Sequence, residues 1–412
     1  MTNILTPASN QKAAEIIRDA ADKRTPIALR GGGTKSQIGT PMQVEQIVSS
    51  AGLCGITLYE PSEMVIAAKA GTPLAEIEAE LKKHNQRLAF DPITYQRALG
   101  SDGMPTIGAI AACNLSGSRR IAFGAARDSL IGIEMINGKG EIIKNGGRVM
   151  KNVTGYDLTK LVCGSWGTLG LLTEVCFKVQ PKPEQERTLL IDGLYEDEAV
   201  PLMCKVMGSP FEITSAAHLY PDARKDDIRA RTILRIEGFA ESLNYRVQEL
   251  QDLLMDACDA DNLDFGEVVH LDDHESKEIW DKVADLSIVN DDDRQLLWKI
   301  SVKPTDAPTI GRYLHNQMDA SLLYDWSGGL IYAAFECHHQ NEQDGSAQEI
   351  RNEVAKLGGH ATLIRAPELT RSAGVSFQPL SNGVSKLHKA VKQSFDPFGI
   401  FNPGLMASGE ER

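Results

Sequence analysis

The chain has 412 residues, 42% of them apolar and 24% charged, and carries a net charge of -13. That length predicts two or three domains with real cores, and no run of eighteen apolar residues exists to span a bilayer. The acidic balance disfavours a nucleic-acid or anionic-membrane surface, which an acidic protein would not approach.

The start, MTNILTPASN, lacks the basic and apolar regions of a secretion signal. Cys54, Cys113, Cys163, Cys176, Cys204, Cys258 and Cys337 are scattered, odd in number and without a C-x-x-C pair. This predicts buried thiols in a reducing cytosol, with neither an iron–sulfur cluster nor a structural zinc site.

In chain order, Ala13, Ile16, Ile17 and Ala20 form a helical stripe with Ser9 as N-cap. Pro26 to Leu29 reads as a strand running into Arg30-Gly31-Gly32-Gly33-Thr34-Lys35-Ser36. Three glycines after a strand suit either a plain loop or a nest of inward N–H groups for a dinucleotide pyrophosphate. A Walker A loop is excluded because Lys35 follows Thr34. A Rossmann turn is excluded because Gln37 to Pro41 cannot open a helix. Ile56–Glu60 and Met64–Ala70 read as strands, and Thr72 as the cap of a helix burying Leu74, Ile77 and Leu81.

A second small-residue run holds Pro105-Thr106-Ile107-Gly108-Ala109, then Asn114-Leu115-Ser116-Gly117, Phe123-Gly124 and Asp128. A strand, Ile131–Ile136, follows it, and Asn137-Gly138 predicts a hairpin. Arg119, Arg120 and Arg127 lie close in sequence. They read either as solvated or ion-paired charges, or as a positive field for developing negative charge.

The third run, Lys151 to Pro181, places glycines at 155, 164, 167 and 170 between a short helix (Leu158, Leu161, Val162) and a half-buried strand (Val175, Phe177, Val179). Its Gly164-Ser165-Trp166-Gly167-Thr168-Leu169-Gly170 suits a backbone that turns sharply beside something flat. Beyond it, two β-α-β-β-α-β series predict a long antiparallel sheet backed by helices. The first has strands at 188–192, 215–219, 232–237 and 265–269 with helices 196–207 and 242–258. The second has strands at 297–302, 321–326, 329–336 and 360–365 with helices 306–317 and 341–357. A last helix carries Leu387, His388 and Val391 and precedes Asp396-Pro397-Phe398-Gly399-Ile400-Phe401-Asn402-Pro403-Gly404.

These runs resemble, in order and spacing, the FAD-linked oxidases of the vanillyl-alcohol-oxidase or p-cresol-methylhydroxylase (PCMH) type. K-N-x-x-G-Y-D-L-x-x-L-x-x-G-S-x-G-T-L-G-x-x-T-E from Lys151 is similar to their FAD-contacting segment, and the D-P-x-G-x-x-N-P-G ending matches theirs. Ala109, Phe123 and Leu405 depart from the usual glycine, tyrosine and lysine. The resemblance implies an α+β fold: a PCMH-type two-subdomain FAD-binding domain over residues 1–182, a cap domain with an antiparallel sheet flanked by helices over 183–370, and residues 371–412 packing back on the first. It implies FAD contacts at Arg30, Gly31, Gly32, Gly33, Thr34, Lys35 and Ser36 in the first run. In the second it implies Pro105, Thr106, Ile107, Gly108, Asn114, Ser116 and Gly117. In the third it implies Gly164, Gly167, Thr168, Gly170, Leu171 and Leu172. Thr34 stands where many relatives carry a flavin-linking histidine, so the FAD is expected to be noncovalent.

Catalytic 2-hydroxy-acid dehydrogenases of this type carry G-H-x-G-D-G-N-x-H on a cap strand pair. Here Tyr324-Asp325-Trp326-Ser327-Gly328-Gly329-Leu330-Ile331-Tyr332 keeps the glycines and lacks both histidines, and neither Trp nor Tyr replaces imidazole as a metal ligand or near-neutral base. His338 and His339 are adjacent and diverge on a strand, while His270 and His274 sit in what reads as a solvated acidic turn. No metal site is expected. This pattern is similar to the FAD-binding accessory subunits of glycolate oxidases. They imply a larger FAD-binding catalytic paralogue and an iron–sulfur subunit as partners, and a cytoplasmic location with membrane association only through those partners. Two alternatives stay open: a self-sufficient FAD dehydrogenase of another hydroxy acid or alcohol, with Tyr156, Tyr332 or His360 as base, and an assembly subunit with a decayed flavin site.

Overall fold

The computed structural model describes residues 2–147, 155–220, 230–261, 263, 266–289, 296–336, 340–374 and 376–406. Lys151 to Thr154, His338 and His339 lie outside them. Among the described residues, three sheets of three or more strands build the fold, beside a two-stranded pairing of Gln86–Arg87 with Gln180–Pro181. In the three-stranded sheet, Gln46–Ser49 lies between Asn3–Leu5 and Ile27–Arg30, all parallel. The helix Asn10–Lys23, capped by the Ser9 hydroxyl on the Lys12 N–H, covers this sheet through Ala13, Ala14 and Ile17.

The second sheet is antiparallel, in the order Ile56–Glu60, Val65–Lys69, Leu171–Lys178, Leu130–Ile136, Ile142–Gly146. Leu171–Lys178 is thus its central strand, not a half-buried one. Val175 and Phe177 enter the main core while Cys176 packs against Val65 and Ala67 on the other face. Thr72 does not cap the helix Leu74–Lys83. Its hydroxyl donates to the Lys69 carbonyl and accepts from the Gly55 N–H.

The third sheet has eight antiparallel strands and contains both predicted β-α-β-β-α-β series. The second strands of the two series, Ile213–Leu219 and Ser321–Asp325, pair at its middle, setting His218 opposite Tyr324. Alternation along Leu296–Ser301 sorts the faces. Leu296, Trp298 and Ile300 join the helix-covered core, whereas Leu297 points into the core shared with the second sheet.

Among the helices that escaped the sequence reading are Ile107–Cys113, inside the second small-residue run, and Asp273–Ala284. Asp272 caps Asp273–Ala284, accepting from the His274 and Glu275 N–H groups while the Glu275 carboxylate accepts the Asp272 N–H. The apparent acidic turn is therefore a capping box. Cys54 and Cys204 are exposed, against the expectation of buried thiols.

Candidate functional site

The three small-residue runs meet at one cleft of about 350 Å³. Arg30, Gly31, Gly33, Thr34, Lys35 and Ser36 form one wall; Gly108, Gly167, Gly170, Leu171 and Leu172 line the rest. The approach is so tight that side chains are excluded. A Cβ on Gly32 would stand 1.9 Å from the Met104 carbonyl oxygen, and one on Gly108 would stand 2.5 Å from the Ala70 Cβ. The third run is fastened to the second, because the Gly164 and Trp166 N–H groups both donate to the Ala112 carbonyl at 3.0 and 2.9 Å. Asn402 fastens it to the first, accepting from the Leu29 N–H at 2.7 Å and donating to the Trp166 carbonyl at 2.8 Å.

Gly32, Pro105, Thr106 and Ile107 sit directly behind this lining rather than on it. Asn114, Ser116 and Gly117 lie further along and are engaged within the protein. Asn114 accepts from the Arg127 N–H, Ser116 from the Ala126 N–H, and the Gly117 N–H donates to the Phe90 and Asp91 carbonyls. Gly164 and Thr168 serve the turn itself. Sequence reasoning missed Arg371 and Leu405, which also line the cleft. Nothing local to those positions signals contact with residues more than 300 positions earlier in the chain.

The cleft gathers three cations, Arg30, Lys35 and Arg371, against one lining carboxylate, Glu368. Lys35 Nζ donates to the Thr34 hydroxyl at 2.8 Å, and burial pushes its pKa below the ordinary lysine value. The Nε atoms of Arg30 and Arg371 are buried without a hydrogen-bond partner. A glycine-built wall with cations whose buried Nε donors have no partner in the protein fits a flat, anionic dinucleotide.

The arginines separate in space. Arg119 is bonded to Asp91 (2.8 Å), Glu186 (3.1 Å) and Glu237 (2.8 Å) between the second and third sheets. Arg87 adds a bidentate pair to Glu237, and Arg235 reaches Asp91 at 3.4 Å. Burial opposes ionisation of Asp91 and Glu237, but Arg119 and its neighbours hold both carboxyls below the usual range. Arg120 turns the other way and stacks its guanidinium 4.1 Å from the centre of the Trp326 ring. Arg127 is exposed.

Where the catalytic relatives' motif is missing, Trp326 and Ser327 take left-handed φ values of 53° and 56° ahead of Gly328 at 93°. Of the weak base candidates, Tyr156 is 90% exposed and faces no site. The Tyr332 hydroxyl lies 2.9 Å from that of Tyr95, and burial raises both phenols. His360 starts an edge strand. Among the described residues, no cluster of three or more His, Cys, Asp or Glu is placed to hold a metal.

The family model described as an FAD binding domain matches residues 2–146. Glycolate oxidase subunit GlcE of Escherichia coli (strain K12) is 31% identical over 96% of this chain and 97% of that protein. Glycolate oxidase subunit GlcD of Bacillus subtilis (strain 168) is 26% identical over 99% and 89%. Among solved structures, p-cresol methylhydroxylase with substrate bound superposes with a TM-score of 0.73 at 13% identity, covering 99% of this chain and 89% of that one. The fold is that of the PCMH-type FAD-dependent oxidoreductases. The chain belongs to the family of FAD-linked oxidoreductases that includes GlcE.

Proposed function

We propose that this chain is an FAD-carrying subunit of a glycolate-oxidising complex, with residues 1–182 and 371–412 holding the cofactor and residues 183–370 forming the cap. The observation that carries this is the glycine-walled cleft fastened by Asn402 and lined by Arg30, Lys35 and Arg371. In this reading Lys35, Arg30 and Arg371 face the diphosphate, and the glycines of all three runs let the main chain approach the ring system. FAD bound there supplies two-electron redox chemistry; the protein orients it and sets its surroundings. Thr34 offers no linking atom of the histidine kind, which supports noncovalent attachment.

The absent histidine pair supports an accessory redox role; in this reading the chain works beside a larger FAD-binding paralogue and an iron–sulfur subunit, in the cytoplasm and at the membrane only through them. Dye reduction with glycolate tests it. The isolated, flavin-loaded chain turns over slowly or not at all, and adding the paralogue restores the rate. Fast turnover by the chain alone would overturn the accessory role.

A further inference from the structure

The seam between cap sheet and flavin domain holds two cations, Lys299 and Arg120, that form no direct salt bridge with a described carboxylate. Lys299 lies on the sheet face that looks toward the flavin domain, directly across from Tyr332 and Thr362. Its ammonium stands 5.5 Å from the centre of the Trp326 ring, the ring on which Arg120 stacks. The indole is fixed from both domains. Its Nε1 donates to the Gly117 carbonyl at 3.0 Å, and its backbone N–H donates to Asp325 at 2.7 Å.

Asp325 is the nearest acid to Lys299, but its other oxygen accepts the Ser118 hydroxyl at 2.8 Å. Neither Lys299 nor Arg120 has a described carboxylate within salt-bridge distance; Asp325 acts on Lys299 and Asp128 on Arg120 only at longer range. Burial pushes the Lys299 pKa down to about 8, with Arg120 adding to the drop and Asp325 opposing it. His360, at the exposed start of its strand, feels both cations after its own partial burial. Two half-buried cations against one indole ring are costly unless an anion joins them.

We propose that Lys299 and Arg120 form the subsite for the carboxylate of a small 2-hydroxy or 2-oxo monocarboxylate, lying between Trp326 and the Tyr95–Tyr332 hydroxyl pair. This rests on the flavin-subunit reading above and names the ligand class of that site. The Arg120 guanidinium offers paired N–H donors to the carboxylate, Lys299 a point charge, and the phenols a partner for the hydroxyl or oxo group. The neighbouring Arg119 is excluded from the subsite because Asp91, Glu186 and Glu237 already claim it.

The test is calorimetric titration of glycolate, with glycolamide as the uncharged isostere, into the full chain with its flavin content measured on the same sample. Saturable binding of glycolate and none of glycolamide is expected. Lys299→Met and Arg120→Met weaken glycolate roughly tenfold or more, the loss expected for a hydrogen bond to a charged group. Lys299→Arg retains binding, and thermal unfolding verifies that each variant is folded.

Unchanged affinity in both Met variants, or equal binding of glycolamide, overturns the proposal. So does loss of flavin together with glycolate in Lys299→Met, which would assign the cations to the cofactor. A chain that is colourless and refuses FAD, yet binds glycolate through Lys299, refutes the flavin reading and leaves the anion subsite standing.

Discussion

Arg119 and Arg120 are consecutive, and the seam treats them oppositely. Arg119 enters a network in which Asp91, Glu186 and Glu237 answer Arg87, Arg119 and Arg235. Arg120 lies with Lys299 against Trp326, where no described carboxylate forms a direct ion pair with either cation. The first cluster is closed: charge is matched inside the protein and the two domains are bound together. The second is open, and its balance is left to a ligand. Burial alone therefore does not identify a functional cation; the absence of an internal counter-ion does.

Breaking the closed cluster gives the largest effect. Glu237→Gln leaves Arg87 and Arg119 short of a counter-charge and is expected to cost roughly 3 kcal/mol in urea denaturation. Because the folded-state pKa of Glu237 is depressed, its contribution is present above the unfolded carboxylate range and lost as pH falls through and below it. The variant's stability should accordingly depend less on pH in acid. Glycolate affinity should not change.

Gly32→Val comes next. A side chain there meets the Met104 carbonyl, so the loop must leave the second run. The expected result is a folded protein by circular dichroism with at least tenfold weaker FAD, on the scale of a lost charged contact or two.

Removing a cation from the open cluster sharpens the contrast, because it should stabilise the protein. The folded-state pKa of Lys299 is lowered to about 8, so its favourable contribution exists above the unfolded lysine pKa and is lost as pH falls through 8. At pH 7 the charged side chain is a net cost, and Lys299→Met should unfold at a higher temperature while binding glycolate more weakly. A melting point that falls would mean that Lys299 is paired within the fold.

The smallest effect is in the pH profile of glycolate binding. Affinity should decline above about 8 as Lys299 loses its proton. It should rise modestly below about 6, where Asp325, raised by burial, becomes neutral and stops competing for the cation.

Much of this was legible in the sequence because its signals are local. The helices Glu196–Met207 and Ala307–Met318 and the strands Ile56–Glu60 and His360–Arg365 follow from periodicity within a few residues of the predicted bounds. Small residues at Gly31, Gly108 and Gly167 marked where the backbone had to come close. Asp272 and Glu275 carried a helix-start signal that the surrounding charge disguised.

The remainder was long-range. Nothing near Asn402 announces that it bridges Leu29 and Trp166, and nothing near Arg120 announces that Lys299, far along the chain, shares its aromatic ring. Such pairs exist only once the sheets are stacked.

The claim that the three runs form a flavin cradle is tested most directly by acid precipitation of the purified yellow protein, with flavin measured in supernatant and pellet. Stoichiometric FAD released entirely to the supernatant is the predicted result. A colourless protein that takes up no FAD, or flavin retained in the pellet, would contradict it.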